Sequence, residues 1–284
     1  MLGRAFEQCA RPRRLPMRLI SRADCDISTE RDVRLMFDRY LPSLVINCAA
    51  FTNVDQSESD PAKADATNVL GIGHLARSAQ KHDALLVHFS TDYVFDGTHR
   101  RAQKPDDETG PRSAYGRSKL AGERAMQEGT LKHWLIIRTS WLYGPKGPNF
   151  VQTMLNAARA GKPITVVDDQ IGSPTFTHDL AGLTLDLIDR GATGIYHATN
   201  SGQTTWFEFA KAIFEEFEIP NVDLKPISSA KWRELKPASA IRPAYSVLDC
   251  RETEKLIGRS MPDWREALHR YRRAIEESEP DGRR

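Results

Sequence analysis

Tyr115 and Lys119 stand four residues apart in Ala114-Tyr-Gly-Arg-Ser-Lys119, and Thr91 lies 24 positions before the tyrosine. On a helix, residues i and i+4 share a face, so this spacing sets an ammonium beside a phenol. A tyrosine ordinarily loses its proton near pH ~10, and a neighbouring cation favours the phenolate. A phenol tuned in this way can give a proton to a carbonyl oxygen or take one from an alcohol. A threonine hydroxyl at a strand end could hold the same oxygen. Together the three residues suit a carbonyl reductase fed by a nicotinamide hydride. The spacing alone also arises as a surface tyrosine with a solvated lysine, so its meaning depends on the elements that carry it.

Those elements alternate. Met17–Arg22, Leu44–Ala49, Leu85–Ser90 and Leu135–Thr139 read as strands, and the last three are short and almost continuously apolar, as strands buried on both faces are. Helical periodicity covers Glu30–Arg39, Ala62–His82 and Ala114–Gln127 between them. This alternation predicts right-handed βαβ units in an α/β, doubly wound parallel sheet, where ligands bind beyond the carboxyl ends of the strands. Thr91 and Trp141 each follow such an end. After residue ~145 prolines punctuate the chain. Ile195–Thr199 reads as a strand returning to the sheet, and Trp206–Phe217 as an amphipathic helix. The expected division is a dinucleotide-binding domain over 1–145 plus about 190–215 and a smaller substrate lobe over most of 146–275. A disordered polar tail is expected over 276–284.

The 284 residues are 40% hydrophobic and 27% charged with net charge +2, which favours neither nucleic acid nor an anionic membrane as partner. No apolar run is long enough to span a bilayer. Cys9, Cys25, Cys48 and Cys250 are scattered, which fits a reduced, cytoplasmic protein without a disulfide frame or a zinc site. No local cluster of ligating side chains marks a metal site. Arg4, Arg11, Arg13 and Arg14 would suit a transit peptide, but the opening residues already have a place in the fold.

Several phrases then fall together: Ser90-Thr-Asp-Tyr-Val-Phe-Asp-Gly97, the Tyr115/Lys119 pair, Arg138-Thr-Ser-Trp-Leu-Tyr-Gly144, Asp169-Gln-Ile-Gly-Ser-Pro-Thr175 and Arg242-Pro243. The chain resembles the extended short-chain dehydrogenase/reductases, and among them the dTDP-4-dehydrorhamnose reductases, over roughly residues 1 to 275. The resemblance implies a Rossmann-like fold and reduction of a dTDP-linked 4-keto-6-deoxysugar to dTDP-L-rhamnose. It implies Tyr115 as proton donor to the C4 oxygen, Lys119 as the group that lowers the phenol pKa and binds the nicotinamide ribose, and Thr91 as the orienting hydroxyl. Asp92, Tyr93 and Trp141 would face the sugar. Asn149, Phe150, Gln170, Pro174 and Arg242 would line the deoxynucleotide side, where the Arg242 cation suits a pyrophosphate.

For the cofactor, the resemblance points to Ala49, Ala50 and Thr52 after a strand end, to Asp26 and Ile27 beside the adenine, and to Gly3 in a glycine-rich turn. An arginine at Arg22, where an acid would bind the ribose of NAD, implies NADPH with NADH tolerated. The resemblance also implies a sheet whose first strand and first two turn glycines lie outside this sequence. A start further upstream, a truncated gene and a protein without dinucleotide chemistry would each explain that, and this polypeptide is then expected to bind NADPH poorly. Relatives suggest a possible homodimer. Two rival readings are a non-catalytic regulatory subunit of the same fold and a reductase or epimerase of another nucleotide sugar.

Overall fold

Strands that are apolar on both faces need helices on both faces, and the central sheet has them. The computed structural model describes residues 1–278. The first half contains α1 (Leu2–Ala10), α2 (Glu30–Tyr40), β1 (Leu44–Asn47), α3 (Val54–Ser59), α4 (Pro61–Asp65), α5 (Gly71–Lys81), β2 (Leu85–Thr91), α6 (Ala114–Gln127) and β3 (Trp134–Thr139). There follow β4 (Leu142–Tyr143), α7 (Phe150–Arg159), β5 (Ile164–Val167), β6 (Ile171–Gly172), β7 (Thr175–Phe176), α8 (Thr177–Asp189) and β8 (Gly194–His197). The last elements are β9 (Thr204–Thr205), α9 (Trp206–Glu216), β10 (Leu224–Ile227), α10 (Ser229–Leu235), α11 (Arg251–Ile257) and α12 (Trp264–Ser278).

The main sheet runs β1-β2-β3-β8 with every pair parallel. Side-chain alternation sorts its residues to two cores. Leu86 and Ile136 pack with Val33, Phe37, Leu75 and Met126 of α2, α5 and α6. Val87, Leu135 and Ile137 pack with Phe6 of α1 and with Leu180, Leu183 and Leu187 of α8. Each such buried side chain contributes about 1.5–3 kcal/mol. The α/β parallel architecture therefore follows from the apolar strands. A third apolar cluster, rich in aromatics, joins β4, β5, β7, α7, α9 and α12 around Tyr143, Phe176, Phe209 and Tyr271.

Two expected elements differ. Met17–Arg22 is not a strand. A strand needs a neighbour to satisfy its backbone groups; among the described residues β1 pairs with β2 alone and the Met17–Arg22 segment joins no ladder, leaving Leu19 41% and Ile20 36% exposed. The single helix expected over Ala62–His82 is broken by a π turn at Ala66–Leu70. The cause is Asn68, whose side chain bonds both the N–H and the C=O of Phe51, at 2.9 and 3.0 Å, and donates to Ser118 Oγ at 3.0 Å. Meeting three partners from two other segments forces the bulge. At the carboxyl end, α12 runs through Ser278, three residues into the expected tail, and 279–284 lie outside the described residues.

Candidate active site

At the carboxyl end of β2 the chain turns tightly at Asp92–Val94. Thr91 Oγ1 donates to Asp92 Oδ1 at 2.9 Å and accepts from the Tyr93 N–H at 3.2 Å, which fixes the hydroxyl. Tyr115 sits in the first turn of α6, which starts where Ser113 Oγ accepts the Gly116 N–H at 3.0 Å. Gly116 has no side chain because none fits: a Cβ there would lie 2.3 Å from the Tyr93 carbonyl. That close approach brings the Tyr93 and Tyr115 rings edge to face, with centroids 5.6 Å apart, and the Thr91 side chain lies near enough to the Tyr115 phenol to oppose the rise in its pKa. The Arg242 guanidinium bonds the Asp55 carboxylate at 3.1 Å and lies beside the Tyr93 phenol, which favours its charged form. Thr91, Asp92, Tyr93, Tyr115 and Arg242 therefore form one connected group.

Burial dominates the electrostatics of this group. It lifts the Asp92 carboxyl to about 6 and pushes both phenols above their usual range. The Asp92 charge adds to the rise at Tyr115, and the Thr91 side chain opposes it. The expectation that Lys119 lowers the Tyr115 pKa is not met in this structure. Lys119 is turned inward, 1% exposed, with Nζ 3.0 Å from His88 Nε2 and 2.6 Å from the Phe89 carbonyl oxygen. Burial lowers its own pKa to about 7.

A second set of residues meets at an aromatic wall. Trp141, held in the left-handed region at φ 48°, stacks face to face on Trp206 with centroids 3.6 Å apart. Gly172 leaves room for the Trp141 indole, since a Cβ there would come within 2.5 Å of it. Phe150 packs on the other partner, Trp206, at 4.5 Å. The remaining expected pocket residues serve local structure. Asn149 caps α7 by accepting the Gln152 N–H and donates to the Gly144 and Gly147 carbonyls. Gln170 donates to Ser229 Oγ at 2.8 Å. Pro174 is buried between β6 and β7.

Of the expected cofactor residues, Ala49, Ala50 and Thr52 follow the carboxyl end of β1, on the same edge as Thr91, with Ala49 and Thr52 exposed. The Ala49 N–H is held by Asn47 Oδ1 at 3.0 Å. Arg22 bonds Asp26 Oδ2 through Nε and Nη2 at 3.1 and 3.0 Å and is otherwise open to solvent. Ile27 packs on Gly71 and its carbonyl meets His74 Nδ1 at 2.9 Å. Gly3 lies in α1, against Leu19. Sequence reasoning missed His88, Asn47, Asp55 and Trp206. His88 had a visible signal, a polar residue inside the apolar run Leu85-Leu-Val-His-Phe. Trp206 had none, since its role depends on a stack with a residue 65 positions away.

Known proteins share this fold. A family model described as "RmlD substrate binding domain" matches residues 1–276. A dTDP-4-dehydrorhamnose reductase of Mycolicibacterium smegmatis is 39% identical over 99% of this chain and 85% of its own length. The spore coat polysaccharide biosynthesis protein SpsK of Bacillus subtilis is 43% identical over 87% of this chain and 84% of its own. A crystal structure of dTDP-4-dehydrorhamnose reductase from Bacillus anthracis, solved in complex with NADP, superposes with TM-score 0.90 at 36% identity, covering 96% of this chain and 95% of that one. By both sequence and fold, the chain belongs to the dTDP-4-dehydrorhamnose reductase family.

Proposed function

We propose that the protein reduces the C4 carbonyl of dTDP-4-dehydro-6-deoxy-L-mannose to dTDP-L-rhamnose with NADPH. The observation that carries this is the Tyr115 phenol placed against Tyr93 and Thr91 at the carboxyl end of a parallel strand. NADPH, when bound, supplies the hydride. Tyr115 supplies the proton: its raised pKa keeps the phenol protonated at neutral pH, and an alkoxide forming at C4 is a far stronger base than a phenolate, so the transfer runs downhill. Thr91 orients the same oxygen. The buried Asp92 carboxyl, with Thr91 on Oδ1 and the Ser246 side chain also acting on it, offers an acceptor for a sugar hydroxyl.

The residues present fit the cofactor. Tyr115 would meet its nicotinamide half, with Lys119 reaching the ribose once Nζ leaves His88 and the Phe89 carbonyl; the Ala49–Ala50 backbone would approach its adenosine and pyrophosphate, and Arg22 would meet a 2′-phosphate in place of Asp26. The NADP complex of the Bacillus anthracis relative favours this choice, with NADH a possible substitute. The sheet would carry the cofactor, and the aromatic third cluster the substrate lobe, where Trp141 and Phe150 wall the sugar nucleotide and Arg242 meets its pyrophosphate.

The test is NADPH oxidation with the ketosugar by the purified protein. Tyr115→Phe should lower turnover by ~10²–10⁴ while leaving substrate binding largely intact. Near-normal turnover in that variant removes Tyr115 from its role, and no oxidation by the wild-type protein favours a non-catalytic subunit. A second reading has one specific support: a dTDP-4-keto-6-deoxy-D-glucose reductase of Streptomyces niveus is 38% identical over 87% of this chain. A panel of dTDP-linked ketosugars separates the two substrates.

A further inference from the structure

His88 is buried, 1% exposed, in the middle of β2, and the proton transfer described above makes no use of it. Both its ring nitrogens are engaged. Nδ1 lies 3.1 Å from Asn47 Nδ2, and Nε2 lies 3.0 Å from Lys119 Nζ. The orientation of the Asn47 amide is fixed independently, because its oxygen accepts the Ala49 N–H at 3.0 Å; turning the amide over would set two N–H groups against each other. The amide therefore presents its NH₂ to His88, and Nδ1 must accept. An imidazolium, which carries hydrogens on both nitrogens, cannot do so. A neutral imidazole whose Nδ1 accepts has its single hydrogen on Nε2, and that hydrogen points at Lys119 Nζ.

We propose that Asn47 and His88 form a positioning pair behind Lys119, in which Asn47 fixes the Nε2–H tautomer and His88 donates that hydrogen to the lone pair of a neutral Lys119 amine. The amine in turn donates to the Phe89 carbonyl at 2.6 Å, so Nζ is held on both sides. The surroundings agree. Burial lowers Lys119 to about 7 and drives His88 well below the usual histidine range. The charged groups facing Lys119 are few: Glu123, one turn further along α6, favours the ammonium, but its carboxylate is already bonded by Arg138 of β3 at 3.0 and 2.7 Å. Tyr115, one turn earlier on α6, is neutral. Lys119 is thus a group that takes up a proton near neutrality. As an ammonium released from these partners it would donate to the ribose of a bound cofactor, so turnover should decline as pH rises through the Lys119 pKa.

The decisive measurement needs no substrate. In the full chain labelled with ¹³Cε-lysine and ¹⁵N-histidine, NMR should show His88 as the Nε2–H tautomer and one lysine titrating far below the ordinary ~10.4, assigned by its loss in Lys119→Met. An Nδ1–H tautomer, or a Lys119 that titrates with the other lysines, overturns the proposal. His88→Leu removes the donor and should raise the Lys119 pKa and carry the high-pH decline of kcat/KM upward with it, whereas His88→Gln, which can still donate an N–H, should stay close to wild type. The kinetic arm rests on the reductase reading; the NMR arm does not, so the two can fail separately. If His88→Leu does not fold, the wild-type tautomer and titration alone decide.

Discussion

Tyr115 and Lys119 are each shifted toward their neutral form, the phenol upward and the amine downward, and in both cases burial is the main cause. For Lys119 this has a consequence for stability. Its pKa of about 7 in the folded protein lies below the unfolded value of ~10.4. Between these limits the unfolded chain binds more protons, so stability rises with pH across the window. The penalty for burying the amine is complete below about pH 7 and gone above about pH 10. Lys119→Met removes it, so the variant should gain stability over wild type at about pH 6.5 and lose that advantage by about pH 10. Urea midpoints at several pH values measure the difference, and a pH-independent gap would mean that Lys119 is charged in the folded protein. The placing of Tyr115 and Lys119 one turn apart on a helix was legible because that spacing is local. The direction in which Lys119 points was not: it depends on His88 and Phe89, which the sequence places 31 and 30 residues away. If Arg22 meets the 2′-phosphate as proposed, Arg22→Ala should reduce any preference for NADPH over NADH, since among the described residues the guanidinium bonds Asp26 and is otherwise exposed. Parallel KM measurements with the two cofactors test this.

At the scale of elements, α6 carries the proposed proton donor Tyr115, and three features fix its place. Ser113 caps it, Gly116 lets it touch the Tyr93 backbone, and Gly122 lets it touch the π turn, where a Cβ would fall 2.1 Å from the Asn68 carbonyl. Gly122→Ala must push α6 and the π turn apart, costing about 1–3 kcal/mol; a stability loss of that size in chemical denaturation, accompanied by a drop in kcat, is expected. The fourth tie is the buried pair of Glu123 and Arg138, whose side chains are 2% and 3% exposed. Removing one partner strands the other charge. Arg138→Met should therefore cost about 3–5 kcal/mol, and the double variant with Glu123→Met should recover much of it. A double-mutant cycle reads this directly. The bounds of α6 were readable from its cap and periodicity, and they hold at Ala114–Gln127. The break in Ala62–His82 was not readable, because the residue that causes it, Asn68, acts through Phe51 and Ser118, partners that helical periodicity does not record.

The whole molecule is organised around a sheet whose two sides are unequal. β3 is flanked by β2 and β8, and five of its six residues are buried. Among the described residues β1 has a ladder on one side only, and three of its four residues are half-buried. The parallel α/β plan was legible because strands buried on both faces announce themselves by continuous apolar runs. The failure of Met17–Arg22 to join the sheet was not, because an apolar run states a preference for pairing but not whether a partner lies beside it. The exposed Leu19 and Ile20 are the visible result. This asymmetry should appear in hydrogen exchange, since backbone groups at an open edge exchange through local openings and central strands only through larger ones. Peptides covering Leu44–Asn47 should exchange at least about tenfold faster than those covering Trp134–Thr139, a difference of about 1.4 kcal/mol or more in opening free energy. Because Ala49, Ala50 and Thr52 directly follow β1, a ligand bound on that edge should slow exchange in β1 more than in β3, and repeating the measurement with saturating NADP⁺ checks this. Equal protection of the two strands without any ligand would mean that the β1 edge is covered in solution, and that result would contradict the unequal sheet on which the prediction stands.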